Sequence, residues 1–390
     1  MRILVAHQVP RARTGGMSRL MGFIHDRVAS AGHEVDYFCA DDVPSEWSGW
    51  VGRRISFPMA VRNKTISAEQ DGRPYDIVNV HEPSAAPVTV GRARRHGPVV
   101  VVTSHGLERR AWELAKEEGR LGREAPRWRT RLAYPATGLW PAEIALKRAD
   151  HVFCLNEDDK TTLLERFGRA PDSVTRVHPG ADEVYARAAE GRSYERARRV
   201  LFAGTWRKNK GVEDLVPVFT VLADRYPDLE LDVVGAGVTP AEITAHFPPH
   251  VRNRVVCTAP GDEDAMAAAF AAADLFLLPS LFEGTPLTLI QAMMSGLPIV
   301  TTSTCGMKDV IAHERTGLLV PIRARDALLD AMSRLIGDRS LRARLGGDAR
   351  STALHRYTWD RAAEPVLRAY DALHTVSSAV PPSMIVAPKR

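Results

Sequence analysis

Glu283 is followed by Gly284, Thr285, Pro286 and Leu287, and by Gln291 one helical stretch later. A carboxylate accepts hydroxyl groups, and the N–H groups of a helix start hold an anion or a sugar. Lys210 lies in a second loop, Gly204-Thr-Trp-Arg-Lys-Asn-Lys-Gly211, with Arg207 and Lys208 beside it. A diphosphate needs cations and helix-start N–H groups, and this loop offers both. Gly15 and Gly16 form a third loop, where backbone can approach a phosphate or sugar with no Cβ in the way. His105, in Thr103-Ser-His-Gly, and His81, in Val80-His-Glu-Pro83, follow apolar runs. His105 has no general base beside it, so no proton transfer is assigned to it.

Strands and helices must alternate to position these groups, and they do along nearly the whole chain, which argues for parallel α/β sheets. Residues 3–6, 34–39, 76–80, 99–103 and 151–155 are strands of a first half. Met17, Leu20, Met21, Ile24 and Val28 recur at helical spacing behind the first strand. A second half restarts at Val200 and continues through strands at 231–234, 254–257, 275–278, 299–301 and 318–320. Glu283 falls just beyond the 275–278 strand, on the side where parallel sheets bind ligands. Thr285 is placed as N-cap of the next helix, Pro286 as its first residue, and Gly296 as its close. Leu287, Ile290, Gln291 and Met294 share one stripe of that helix. The domains are 1–181 and 182–359, with a hinge at 177–181, a final helix over about 360–374 and a disordered tail over 375–390.

A chain of 390 residues exceeds one ordinary core, and 45% apolar with 25% charged residues is globular. The net charge of +5 suits anionic ligands or an acidic membrane face. Cys39, Cys154, Cys257 and Cys305 are scattered without metal-ligand spacing, as expected of reduced cytoplasmic thiols. The Asp-x-Asp of residues 262–264 reads as carboxylates at a helix start, not a metal site. Met1-Arg-Ile-Leu-Val-Ala-His reads as a strand rather than a signal peptide, and no apolar run is long enough to span a membrane. Arg120, Arg123, Arg127, Arg129 and Arg131, with Trp128 and Tyr134 among them, lead to two readings that stay open here. One is a peripheral site on the inner membrane face, or for a phosphate-linked lipid acceptor; the other is a solvated amphipathic segment. Nothing in the pattern is a nucleic-acid code.

Pro279, Ser280, Glu283, Gly284, Ala292, Met293, Gly296 and Pro298 resemble the Glu-x7-Glu signature of retaining family-4 glycosyltransferases, with Gln291 where the family has its second glutamate. The resemblance extends from Met1 to about Tyr370 and implies a GT-B fold, two Rossmann-like domains facing each other across a cleft. It implies a nucleotide-sugar co-substrate, UDP- or GDP-linked, with no further cofactor and no metal. Glu283 would orient the donor sugar, His105 would contact it from the first domain, and Lys210 would bind the diphosphate. Gly15, Gly16, Gly204, Arg207, Gly284, Thr285, Pro286, Leu287 and Gln291 would complete the donor site. Thr205 stands where the family has an arginine, which Arg207 or Lys208 would replace, and Asp309 stands for the glutamate of a Gly-x-x-Glu segment. His81, Arg127 and Trp128 fall on the acceptor side, where a hydroxyl would take the sugar. Gln291→Glu would then tighten donor binding modestly. A non-catalytic GT-B partner protein fits the two departures equally, and a sugar-nucleotide epimerase shares the fold.

Overall fold

The computed structural model describes residues 1–12, 15–44, 52–90, 97–123, 125–259 and 261–378. Its apolar runs form two six-stranded parallel sheets. The first holds β1 (Arg2–His7), β2 (Glu34–Cys39), β3 (Ile77–His81), β4 (Val99–Thr103), β5 (His151–Cys154) and β6 (Val174–Arg176), in the order β2-β1-β3-β4-β5-β6. The second holds β7 (Arg199–Ala203), β8 (Glu230–Val234), β9 (Val255–Thr258), β10 (Leu275–Leu278), β11 (Ile299–Thr302) and β12 (Leu318–Val320), in the order β12-β11-β10-β7-β8-β9. Strands covered by helices on both faces carry uninterrupted Val, Ile and Leu; Leu275 to Leu278 are all 0% exposed. In each sheet the order reverses once, between β1 and β3 in the first and between β7 and β10 in the second. Ligands of open α/β sheets bind at such reversals, beyond the strand carboxyl ends.

The chain divides into two compact units. One comprises Met1–Cys154, Asp159–Val177 and the chain from Ala362 onward; the other comprises Leu155–Asp158 and His178–Arg361. Leu155–Asp158, expected inside the first domain, thus belongs with the second. Leu4, Val78, Val100 and Val152 centre the first core. Phe202, Leu231, Phe276, Leu289 and Val300 centre the second.

The final helix, Trp359–Ser378, passes from the second unit to the first after Arg361. Tyr370 on it is 0% exposed, and its hydroxyl meets Asn79 Nδ2 at 2.7 Å and His25 Nε2 at 2.9 Å. The helix runs through residues 375–378, which the sequence reading placed in the tail; residues 379–390 lie outside the described residues.

Candidate active site

β7 ends at Ala203, and Gly204 turns the chain, donating its N–H to the Val234 carbonyl at 2.9 Å. A single 3-10 turn, Lys208–Lys210, leads through Gly211 into the helix Val212–Arg225. Gly211 has φ 73°, and a Cβ there would overlap the Pro279 carbonyl, so only glycine lets this loop lie against the chain leaving β10. Leu281 completes the join, donating its N–H to the Asn209 carbonyl at 2.7 Å. The two loops at the reversal of the second sheet are therefore tied together through backbone.

Two charges meet at that join. Lys210 Nζ lies 2.5 Å from Glu283 Oε1, with the two side chains 16% and 13% exposed. Ser280 Oγ donates to the same carboxylate oxygen at 3.0 Å. Glu283 and Lys210, assigned separate roles from sequence, form one ion pair. An incoming phosphate would compete for the ammonium and leave the carboxylate to accept hydroxyl groups. Of the two candidates to replace the arginine missing at Thr205, Lys208 is held by Glu213 at 2.7 Å, and Arg207 is exposed.

The turn after Glu283 differs from its sequence reading. Its helix is Leu287–Met294, Pro286 is the N-cap, and Thr285 does not cap it. Thr285 Oγ1 instead donates to the Leu155 carbonyl at 2.6 Å. Asn156 Nδ2 donates to the Gly284 carbonyl at 3.1 Å, Glu157 N–H to Asp309 Oδ2 at 2.7 Å, and Lys308 pairs with Asp158 at 2.5 Å. These bonds attach Leu155–Asp158 to the second unit, and they employ Asp309 in structure. Gly306 donates its N–H to the same Gly284 carbonyl at 2.9 Å. A Cβ on Gly306 would overlap Gly284 and Thr285 backbone, which cannot yield without moving Glu283. Gly306→Ala is therefore expected to cost about 1–3 kcal/mol, read as a lowered urea midpoint; an unchanged midpoint would show that the turn is pliable.

Gln291 is buried, and its Nε2 donates to Glu263 Oε1 at 3.4 Å. Glu263 opens the helix Glu263–Ala272, which Asp262 caps by accepting the Ala265 N–H at 2.9 Å. The expectation that Gln291→Glu tightens donor binding does not survive this geometry, because the change sets two carboxylates against each other. Its expected result is a loss of about 1–3 kcal/mol in stability, recovered when Glu263→Gln is added. Equal melting of the single and double variants would show that the two side chains do not interact.

In the first unit, Gly15 caps the helix Gly16–Ser30 in an extended conformation. A Cβ on Gly16 would meet nothing within 4 Å, so packing inside the unit does not demand that glycine. His81 ends β3, and its ring stacks on His105 with centroids 4.3 Å apart and Nε2 atoms 3.3 Å apart. Burial, with His7 nearby, lowers the His105 pKa to about 3 and that of His81 far below the usual value. Burial thus holds both imidazoles in the neutral form at physiological pH.

Sequence reasoning overlooked Glu82, whose Oε1 accepts the Glu108 N–H at 3.3 Å. Burial, and then Glu108, push its pKa up to about 8. The Ser104 hydroxyl lies near enough to this carboxyl to oppose that rise in part, while His81 Nδ1 and the Ser84 hydroxyl are sealed from solvent without a hydrogen-bond partner among the described residues. Its sequence signal is a carboxylate directly after a buried strand. A cavity of about 530 Å³ opens at the opposite, amino-terminal edge of the second sheet, beside Arg199, Asp228 and Asp274. Its charges are engaged locally, as in Arg198–Asp228 at 3.2 Å.

Residues 14–185 match the family model described as Glycosyltransferase Family 4, and residues 197–338 match that described as Glycosyl transferases group 1. The chain belongs to the family-4 glycosyltransferases. Among the relatives of this family-4 chain, the D-inositol 3-phosphate glycosyltransferase of Corynebacterium glutamicum (strain R) is 28% identical over 241 residues, 57% of each chain. The chain thus spans little more than half the length of the curated relatives it matches first. The sucrose-phosphate synthase of Thermosynechococcus elongatus superposes with TM-score 0.76 at 20% identity, over 96% of this chain and 99% of that one. Alr3699/HepE of Anabaena, solved in complex with UDP and glucose, gives TM-score 0.67 at 17% identity, over 95% and 100%. At these identities the likeness is one of fold, and the fold is GT-B.

Proposed function

We propose that this family-4 chain moves a sugar from a nucleoside-diphosphate sugar to a hydroxyl acceptor, retaining the anomeric configuration. The observation that carries the proposal is the Lys210–Glu283 pair at the strand reversal of the second sheet. Lys210 takes the diphosphate and stabilises the charge that develops on it as the anomeric C–O bond breaks. Glu283, released from the ammonium, accepts hydroxyl groups of the donor sugar. The acceptor hydroxyl attacks from the side the diphosphate leaves, next to a phosphate oxygen that takes its proton. His105 has its Nε2 against His81, and its low pKa suits a hydrogen-bonding rather than an acid role. In this proposal the second unit holds the donor, Gly204, Arg207, Gly284–Leu287 and Gln291 contributing, while Gly15, Gly16 and His81 serve the first.

The donor base is uracil or guanine, and the UDP named with Alr3699/HepE favours uracil. The acceptor is a lipid-linked or envelope hydroxyl compound, in keeping with a peripheral position on the inner membrane face. The test is a thermal-shift panel of UDP, GDP, ADP and TDP, with and without attached sugars, run beside Lys210→Ala. Stabilisation by UDP or GDP, lost in the variant, is expected. The absence of a shift with every nucleotide would favour a non-catalytic GT-B protein, and conversion of free donor without acceptor would favour an epimerase.

A further inference from the structure

Trp128, Leu132, Ala136, Trp140 and Ile144 recur at every fourth residue of one helical run, and all five are exposed. The large ones are 67%, 72%, 58% and 39% exposed, in that order. The run is built from the helix Trp128–Tyr134, a π turn over Pro135–Leu139 and the helix Trp140–Arg148. In an uninterrupted α-helix a four-residue repeat drifts about 40° per step. The wider π turn takes up much of that drift and keeps Trp140 and Ile144 on the side of Trp128 and Leu132. Exposed apolar side chains scattered singly are ordinary, but an aligned series of this length calls for something to cover it.

Charge identifies the cover. Residues 125–149 contain Arg127, Arg129, Arg131, Lys147 and Arg148 against a single acidic residue, Glu143. The five basic residues are exposed and stand at the two ends of the stripe, whereas Glu143 is engaged by Arg109. Arg129 lies over the Trp128 ring at 5.4 Å. The inner side of the run is fixed by Tyr134, whose ring packs on Trp112 at 4.9 Å and whose hydroxyl donates to Glu108. Apolar side chains between basic ends, with tryptophans and long amphipathic arginines, are the composition of a helix lying in a bilayer interface. No helix among the described residues is long and apolar enough to cross a membrane, so contact through this run would be from one side.

We propose that the Trp128–Arg148 run is the surface by which this protein docks on an anionic lipid bilayer, its apolar stripe among the acyl chains and its arginines on the headgroups. The inference rests on the lipid-linked acceptor reading and supplies the surface for it. It is tested by co-flotation of the full chain with phosphatidylcholine vesicles, with and without phosphatidylglycerol. Binding to the anionic vesicles alone is expected, weakened about fivefold for each of Arg127→Gln, Arg129→Gln and Arg131→Gln and falling with salt. Trp128→Ala with Trp140→Ala, both on exposed positions, should abolish flotation without changing melting temperature. Failure of the wild-type chain to float, or flotation of the double tryptophan variant, overturns the proposal. So does a change from dimer to monomer in that variant without vesicle binding, which would make the stripe a contact between copies. The nucleotide thermal shift should be the same in all these variants. Its absence alongside normal flotation would overturn the donor assignment and leave the docking surface standing.

Discussion

Lys210→Ala is expected to lower sugar-transfer turnover by about 10²–10³-fold, the largest effect of any single substitution considered. The ammonium is a positive charge held at the second sheet's strand reversal, and in the proposed reaction charge on the departing diphosphate grows as its bond to the sugar breaks. A cation already in place, mostly shielded from water, stabilises that charge without reorganising. The same change leaves Glu283 without its partner, at a cost of about 1–3 kcal/mol in stability. Circular dichroism and a urea titration must therefore accompany the rate measurement. Adding Glu283→Gln should recover stability and not turnover, separating the structural part of the pair from the chemical part. Turnover close to wild type in Lys210→Ala would remove Lys210 from the diphosphate site.

The second large effect is acid unfolding of the first unit. Burial lowers the pKa of His25 to about 4, of His105 to about 3 and of His151 to about 4, and lowers those of His7 and His81 as well. Unfolded, each returns to the ordinary value of about 6.5. These groups bind protons more readily in the unfolded chain, so their contribution is fully present above pH ~6.5 and is lost as pH falls toward 4. His25 alone accounts for about 3 kcal/mol of that loss. Its Nδ1 faces the Met21 carbonyl at 2.8 Å and its Nε2 faces Tyr370, an arrangement that accommodates one ring proton and not two. Glu82 has the opposite sign: its raised pKa gives stability below about 4.5 that is lost as pH rises through about 8. Urea midpoints should accordingly peak between these limits, and His25→Gln should flatten the acid side. An acid side left unchanged by His25→Gln would show that this imidazole is accessible to solvent.

The strands were legible because both faces of each sheet are covered, which leaves unbroken apolar runs such as Val99 to Val102. Lys210 and Glu283 were legible as residues at strand ends. Their pairing was not, since nothing local in either loop states which strands are neighbours. Thr285 was misread for a related reason: Ser, Thr, Asn and Asp cap helices by default, but a partner distant in sequence, the Leu155 carbonyl, offered a better bond. Gln291 and Glu263 meet only because the helices that follow β9 and β10 are brought together. The role of Asn156 to Asp158 follows from the same kind of long-range contact. The stripe of exposed residues after Trp128 required knowledge of the π turn, since from sequence alone its apolar positions drift around the helix.

The last helix has a consequence for how this protein is made. Tyr370 belongs to the core that β1 begins, bonded to His25 and Asn79. On the ribosome the sheet of the first unit can assemble early, but its interior stays incomplete until the helix that carries Tyr370 has been synthesised. The second unit, entered at Leu155 and left after Arg361, is able to close before that. The sheet that is made before the second unit is thus completed after it, and until then it leaves a gap beside His25 and Asn79 where Tyr370 will sit.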